Sequence, residues 1–151
     1  MNVAIVGGGI CGLALALNLK ERGIPCDVFE RAPEVLELGV GITLLPHAMR
    51  EFTALGVDKE LIAAGIENLE SCFFNRFGQL IYKEGRGRHA GYKYPEIGIH
   101  RGRLHRILYE AAVARVGREH IRTDHFCTGA EQDDGGITLA FTTSEGKPRP
   151  S

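Results

Sequence analysis

Three glycines near the start of this chain are spaced as a phosphate-binding turn requires. Gly7, Gly9 and Gly12 stand in the run Gly7-Gly8-Gly9-Ile10-Cys11-Gly12, directly after the apolar segment Val3-Ala4-Ile5-Val6 and directly before a helical pattern that starts at Ile10. In a strand–turn–helix of this kind the first glycine permits the tight turn and the second lets the backbone approach a pyrophosphate. The third lets helix and strand pack closely. From Ile10 onward the helix offers backbone N–H groups and the positive end of its dipole to the phosphates. Glu30 ends a second apolar run, Val28-Phe29, roughly 20 residues past the glycines. A carboxylate there can accept both ribose hydroxyls of an adenosine and would repel a 2′-phosphate, so the expected ligand is FAD or NAD and not NADP. The glycine spacing alone is weak; its meaning comes from strand, turn, helix and acid following in register.

These residues need a folded frame, and the composition allows one. With 151 residues, 44% of them hydrophobic and 25% charged, and a net charge of −1, the chain is expected to form a soluble globular domain with its own core. Nothing in the charge balance argues for nucleic acid or a membrane surface. No apolar run nears the roughly 20 residues that span a bilayer, and the chain enters its first strand at once, without the pattern of a signal peptide. The four cysteines are widely scattered, as expected of reduced thiols in a cytoplasmic protein. The six histidines include His100 with His105 and His120 with His125, but no zinc-protease or paired-cysteine spacing accompanies them. No metal site is expected.

The periodicity predicts an α/β chain. In the first helix Leu13, Ala14 and Leu17 share a face, and Gly23 with Pro25 stops it. Pro33 to Leu38 reads as a connector, and Gly39-Val40-Gly41-Ile42 as a second glycine-bearing segment. Pro46 opens a helix with the apolar stripe Ala48, Met49, Phe52 and Leu55, ended by Gly56; Asp58 is expected to cap a shorter helix carrying Leu61 and Ile62. Leu69 to Phe74 and Leu80 to Lys83 read as a hairpin around Asn75-Arg76-Phe77-Gly78. Glu84 to Lys93 follows as a basic glycine loop. It reads as a solvated loop, with contact to an acidic substrate or RNA as the alternative reading of Arg86, Arg88 and Lys93. Tyr82, Tyr92 and Tyr94 either pack around the hairpin or line a substrate cavity, and His47 reads as a first-turn surface histidine, with an approach to a flavin as the alternative. Ile97 to His100 reads as a strand, and Leu104, Ile107, Leu108, Ala111 and Ala112 mark a long helix. A strand at Ile121 and a hairpin around Asp133-Asp134-Gly135-Gly136 follow. Ser144 to Ser151 is polar and turn-like. The parallel sheet of such a unit needs more strands than are visible, so the chain is expected to be part of a longer protein.

Three segments together point to a family. VAIVGGGICGLALALNLKERGIPCDVFERAPE, LGVGITLLPHAMREFTALGV and IGIHRGRLHRILYEAA resemble the N-terminal portion of the FAD-dependent aromatic-ring monooxygenases, the single-component flavoprotein hydroxylases. Within them the chain is most similar to bacterial hydroxylases of phenazine and other heteroaromatic carboxylates. The resemblance runs from Asn2 to Thr143 and covers only the opening part of such an enzyme.

The resemblance implies a Rossmann-like FAD-binding βαβ unit with added β-hairpins, a truncated form of the para-hydroxybenzoate-hydroxylase fold. Residues 1–68 and 100–151 would belong to an incomplete FAD-binding domain, and 69–99 to the beginning of the substrate-domain sheet. It also implies roles for particular residues. Gly7, Gly9, Ile10 and Gly12 match the pyrophosphate turn, and Glu30 the acid on the adenosine ribose. Arg31 matches an arginine near the adenosine half. Gly41, Ile42 and Thr43 match a segment passing near the flavin, Arg101 an arginine that reaches the cofactor from the start of the long helix, and Cys127 a backbone position beside the adenine.

The implied reaction uses NADH or NADPH to reduce FAD, with dioxygen supplying one oxygen atom to a small aromatic substrate. No side chain is required as a nucleophile, and none is assigned a catalytic role. The family's later Asp-Gly and Gly-Asp motifs are not present here, and Asp134-Gly135 sits in a hairpin turn without the right flanks. The chain alone is therefore expected to bind FAD poorly and turn nothing over. The alternatives are another FAD oxidoreductase, of amine oxidase or dehydrogenase type, and a non-catalytic nucleotide-binding module.

Overall fold

The structure is a computed structural model and describes residues 2–34 and 39–149. In chain order it begins with β1 (Val3–Val6), α1 (Ile10–Glu21), β2 (Cys26–Phe29), β3 (Gly41–Leu44), α2 (Pro46–Ala54), α3 (Asp58–Ala64) and β4 (Ile66–Glu67). It continues with β5 (Glu70–Phe74), β6 (Leu80–Gly85), β7 (Ile97–His100), α4 (Arg101–Val116), β8 (Ile121–Arg122), β9 (Phe126–Asp133), β10 (Gly136–Thr142) and β11 (Pro148–Arg149). The chain divides into two compact units, residues 1–36 with 108–151, and residues 37–107.

The first unit is built on a parallel sheet of order β1-β2-β8. Val3 to Val6 pair residue by residue with Cys26 to Phe29, and Val28 and Phe29 pair with Ile121 and Arg122. Helix α1 buries Leu13, Ala16 and Leu17, the i, i+3, i+4 stripe of a helix lying on a sheet. Of the face predicted from sequence, Ala14 is only half-buried and Ala16 takes the core position instead. The helix ends as Gly23 suggested. Gly23 has φ +68°, its N–H donates to Lys20 O, and the Ile24 N–H reaches back to Leu19 O, a Schellman closure. A second sheet, β11-β10-β9, is antiparallel; the Asp133 carboxylate accepts the N–H groups of Gly135 and Gly136 and so closes its hairpin turn. Strand β11 departs from the turn-like reading of the C-terminal stretch: Phe141 and Thr142 of β10 find partners in Arg149 and Pro148.

The second unit contains the antiparallel sheet β3-β7-β4 and the hairpin β5-β6. Leu44, Ile97 and Ile99 of the sheet are buried, as are Met49, Phe52, Leu55, Val57 and Leu61 from α2, α3 and their junction. Two expectations fail here. Asp58 does not cap α3; it is the first helical residue, and Val57 is the N-cap, with no side-chain capping bond. The reason is the preceding turn, where Gly56 has φ +65° and the Val57 N–H is already committed to Phe52 O. Ile62 is exposed and Leu61 alone anchors α3. The segment from Glu84 is also more ordered than a loop, since β6 runs through Gly85 and a 3-10 turn spans Gly87–Ala90. The Pro33–Leu38 connector lies partly outside the described residues.

Candidate dinucleotide-binding site

The glycine turn sits at the carboxyl end of β1, where ligands of open parallel sheets bind. Gly7 has φ +111°, and its N–H donates to Phe29 O at 2.8 Å, so the chain leaves β1 while still bonded to β2. Gly12 faces this turn so closely that a Cβ would lie 1.9 Å from Gly7 O. Gly9 is the opposite case. It is the N-cap of α1 at φ −77°, ψ −175°, and a Cβ built on it meets nothing within 4 Å.

The start of α1 is electrostatically open. No side chain caps it and its first turn carries no acid. The first helical bond is Leu13 N–H to Gly9 O, which leaves the N–H groups of Ile10, Cys11 and Gly12 at the helix end without intrahelical acceptors. Donors, dipole and the open approach at Gly9 together fit a diphosphate.

Glu30 is held in place by backbone donors. Its Oε2 accepts the Gly8 N–H at 2.7 Å and its Oε1 the Ala32 N–H at 2.8 Å. The backbone of Glu30 is fixed as well, its N–H donating to Arg122 O and its carbonyl accepting the His125 N–H. Each carboxylate oxygen keeps a further lone pair for a ribose hydroxyl. Sequence reasoning missed Gly8, whose Cβ would stand 2.9 Å from Glu30 Cβ. Its signal is that it stands between Gly7 and Gly9 as one glycine more than the turn itself demands.

Beside Glu30 lies a cavity of about 180 Å³ lined by Gly7, Phe29, Arg31, His125, Phe126 and Cys127 among others. Glu30, Arg31 and Cys127, matched to the adenosine half by resemblance, thus share one lining with Gly7 of the turn. Phe29 stacks on Phe141 with ring centroids 4.5 Å apart, and His125 packs against both rings while its Nδ1 meets Thr123 O at 2.7 Å. From the sequence His125 is weighed only with His120 as a possible metal pair; its signal for this place is lying two residues from Cys127 in an extended segment. Cys26 is buried, and burial, then the neighbouring Asp27 carboxylate, pushes its thiol up.

The remaining predicted residues gather in the second unit. Gly41 pairs with His100 and Thr43 with Gly98, so β3 lies beside the strand that leads into Arg101. The Arg101 N–H donates to Val40 O at 3.0 Å, and its side chain passes 3.3 Å from where a Gly39 Cβ would stand. His100 Nε2 meets Gly39 O at 3.0 Å, and its Nδ1 accepts the Gly102 N–H. Gly41, Thr43 and Arg101 are exposed. His47 is exposed in the first turn of α2. The basic segment is matched by acids: Arg88 reaches both oxygens of Glu67, and Arg86 meets Glu84. Among the described residues no helix is long and apolar enough to cross a membrane.

A parallel βαβ opening with an uncapped glycine turn and an acid ending β2 defines a dinucleotide-binding protein of Rossmann type. Residues 1–149 match the family described as the FAD binding domain, and the chain belongs to that family. Phenazine 1,6-dicarboxylic acid hydroxylase of Lysobacter antibioticus is 37% identical over 153 residues, covering 93% of this chain and 38% of that protein. The 3-hydroxybenzoate 6-hydroxylase of Polaromonas naphthalenivorans is 34% identical over 140 residues, covering 91% of this chain and 35% of that protein. Among solved structures, the rebeccamycin biosynthetic enzyme RebC with reduced flavin superposes with TM-score 0.75 at 28% identity, over 98% of this chain and 30% of that one. The chain thus spans little more than a third of the relatives it matches.

Proposed function

We propose that this chain is the FAD-binding N-terminal part of an NAD(P)H-dependent flavoprotein monooxygenase that hydroxylates a small aromatic or heteroaromatic compound. One observation carries the reading: the uncapped start of α1 opens at Gly9 beside a Glu30 carboxylate that backbone N–H groups already hold in place. The N–H groups of Ile10, Cys11 and Gly12 receive the diphosphate, Glu30 the adenosine ribose, and Arg31 and Cys127 the rest of the adenosine. Gly41, Thr43 and Arg101 serve the flavin end, where a guanidinium offers a rigid fork of donors. When bound, FAD would supply the redox chemistry of an NADH- or NADPH-driven, dioxygen-dependent ring hydroxylation. The protein's part is to hold the cofactor in register and keep water from it.

Residues 1–68 and 100–151 are assigned to the FAD-binding domain and 69–99 to the start of a substrate-domain sheet. A cytoplasmic location accords with four free cysteines. The hydroxylases among the relatives favour this reading over an amine oxidase, a dehydrogenase or a non-catalytic module. The test is product analysis of the protein expressed from its full reading frame. Hydroxylated product formed at the expense of NADH or NADPH with an aromatic acid supports it. Amine-dependent peroxide release without hydroxylated product overturns it.

A further inference from the structure

His100 ends β7 and stands directly before α4, and its imidazole is bonded at both nitrogens. Nδ1 accepts the Gly102 N–H at 3.2 Å, as the side chain of an N-cap does for the second residue of its helix. Nε2 lies 3.0 Å from Gly39 O. A backbone N–H can only donate and a carbonyl only accept, so the two bonds require one tautomer, with the proton on Nε2. The segment held in this way is the one beside Arg101. Gly41 pairs with His100 in the sheet, and ahead of Gly41 the chain is tied to the start of α4 by the imidazole at Gly39 and by the Arg101 N–H, which donates to Val40 O at 3.0 Å. Gly39 has φ +124°, and a Cβ there would stand 3.3 Å from both Cβ and Cδ of Arg101, so the course of this segment limits where the Arg101 side chain can go.

We propose that His100 is a positioning residue for the flavin end of the cofactor site: it clamps the Gly39 segment to the start of α4 and so sets the direction of the Arg101 guanidinium. This role rests on the FAD reading of the same site. A histidine that served only to cap α4 would need Nδ1 alone. The bond from Nε2 instead reaches back 61 residues, to the segment that leads into Gly41 and Thr43. With that segment fixed, Arg101 meets the cofactor already oriented, and less freedom is lost on binding.

Two substitutions in the full-length protein separate the two bonds. In His100→Asn the amide oxygen takes the place of Nδ1 and keeps the cap, but the side chain is too short to reach Gly39 O. In His100→Gln the terminal amide takes the place of Nε2 and can donate to Gly39 O, while the cap is lost. Equilibrium titration of FAD and urea unfolding are measured for each. His100→Asn should keep the urea midpoint and bind FAD about tenfold more weakly, the worth of one hydrogen bond lost from the frame. His100→Gln should lower the urea midpoint and keep FAD affinity, and His100→Ala should lower both. FAD affinity unchanged in His100→Asn, or as low in His100→Gln as in His100→Ala, overturns the proposal. Glu30→Lys tells the two failures apart. If it too leaves FAD affinity unchanged, the FAD reading falls and this role with it; lost affinity there with His100→Asn unaffected strikes the role of His100 alone.

Discussion

The N–H of Gly8 donates to Glu30 Oε2 at 2.7 Å, tying the glycine turn after β1 to the acid that follows β2. Two separate sequence signals are therefore one mechanical unit: the turn orients the carboxylate, and the carboxylate braces the turn. Glu30→Gln keeps the size but puts an amide NH₂ toward one of two backbone donors, Gly8 or Ala32. Stability should fall by about 1 kcal/mol. FAD affinity should fall at least about tenfold. Urea unfolding and fluorescence titration of FAD measure the two separately.

Gly12→Ala should act on the fold itself. Its methyl would sit 1.9 Å from Gly7 O and 3.3 Å from Ile5 Cγ2, so α1 must move off β1. Overpacking of this kind costs about 1–3 kcal/mol. A lowered urea midpoint together with lost FAD binding is the expected outcome, and unchanged stability would show that the helix–strand approach is looser than the structure has it.

Acid should loosen the C-terminal end. The Ser144 N–H bond, then Arg149, hold Asp124 down at about 2, below its ordinary 3.8. The carboxyl is lowered in the folded chain, so its contribution is complete above the unfolded value and fades as pH falls from about 4 to about 2. The Ser144 amide should lose hydrogen-exchange protection across that window, and Asp124→Asn should remove the pH dependence. Protection that stays constant to pH 2 in the unsubstituted protein contradicts the assignment.

What the sequence made legible follows the range of the interactions involved. The glycine turn, the ends of α1 and α2 at Gly23 and Gly56, and the hairpin at Asn75 all depend on bonds between near neighbours, and all could be read directly. Asp58 looked like a cap because its residue type favours that place, but the bond from Val57 to Phe52 had already set where α3 begins. The pairing of β3 with β7 joins Gly41 to His100, and that of β11 with β10 turns on Pro148 and Arg149; neither leaves a periodic mark. In the site, the places of Gly8 and His125 were not read because they come from contact with Glu30, across 22 residues in the case of Gly8.

Gly9 offers the most direct test. Its backbone is in a region open to any residue and no atom lies within 4 Å of a Cβ there, so Gly9→Val should fold, losing no more than about 1 kcal/mol as a poorer N-cap than glycine. The same side chain would fill the space that the structure leaves for a diphosphate. Equilibrium titration of FAD into the full-length protein and its Gly9→Val variant should show the variant binding at least about 100-fold more weakly, a loss of about 2.7 kcal/mol. Equal FAD affinity in a folded Gly9→Val protein would contradict a cofactor seated on the start of α1.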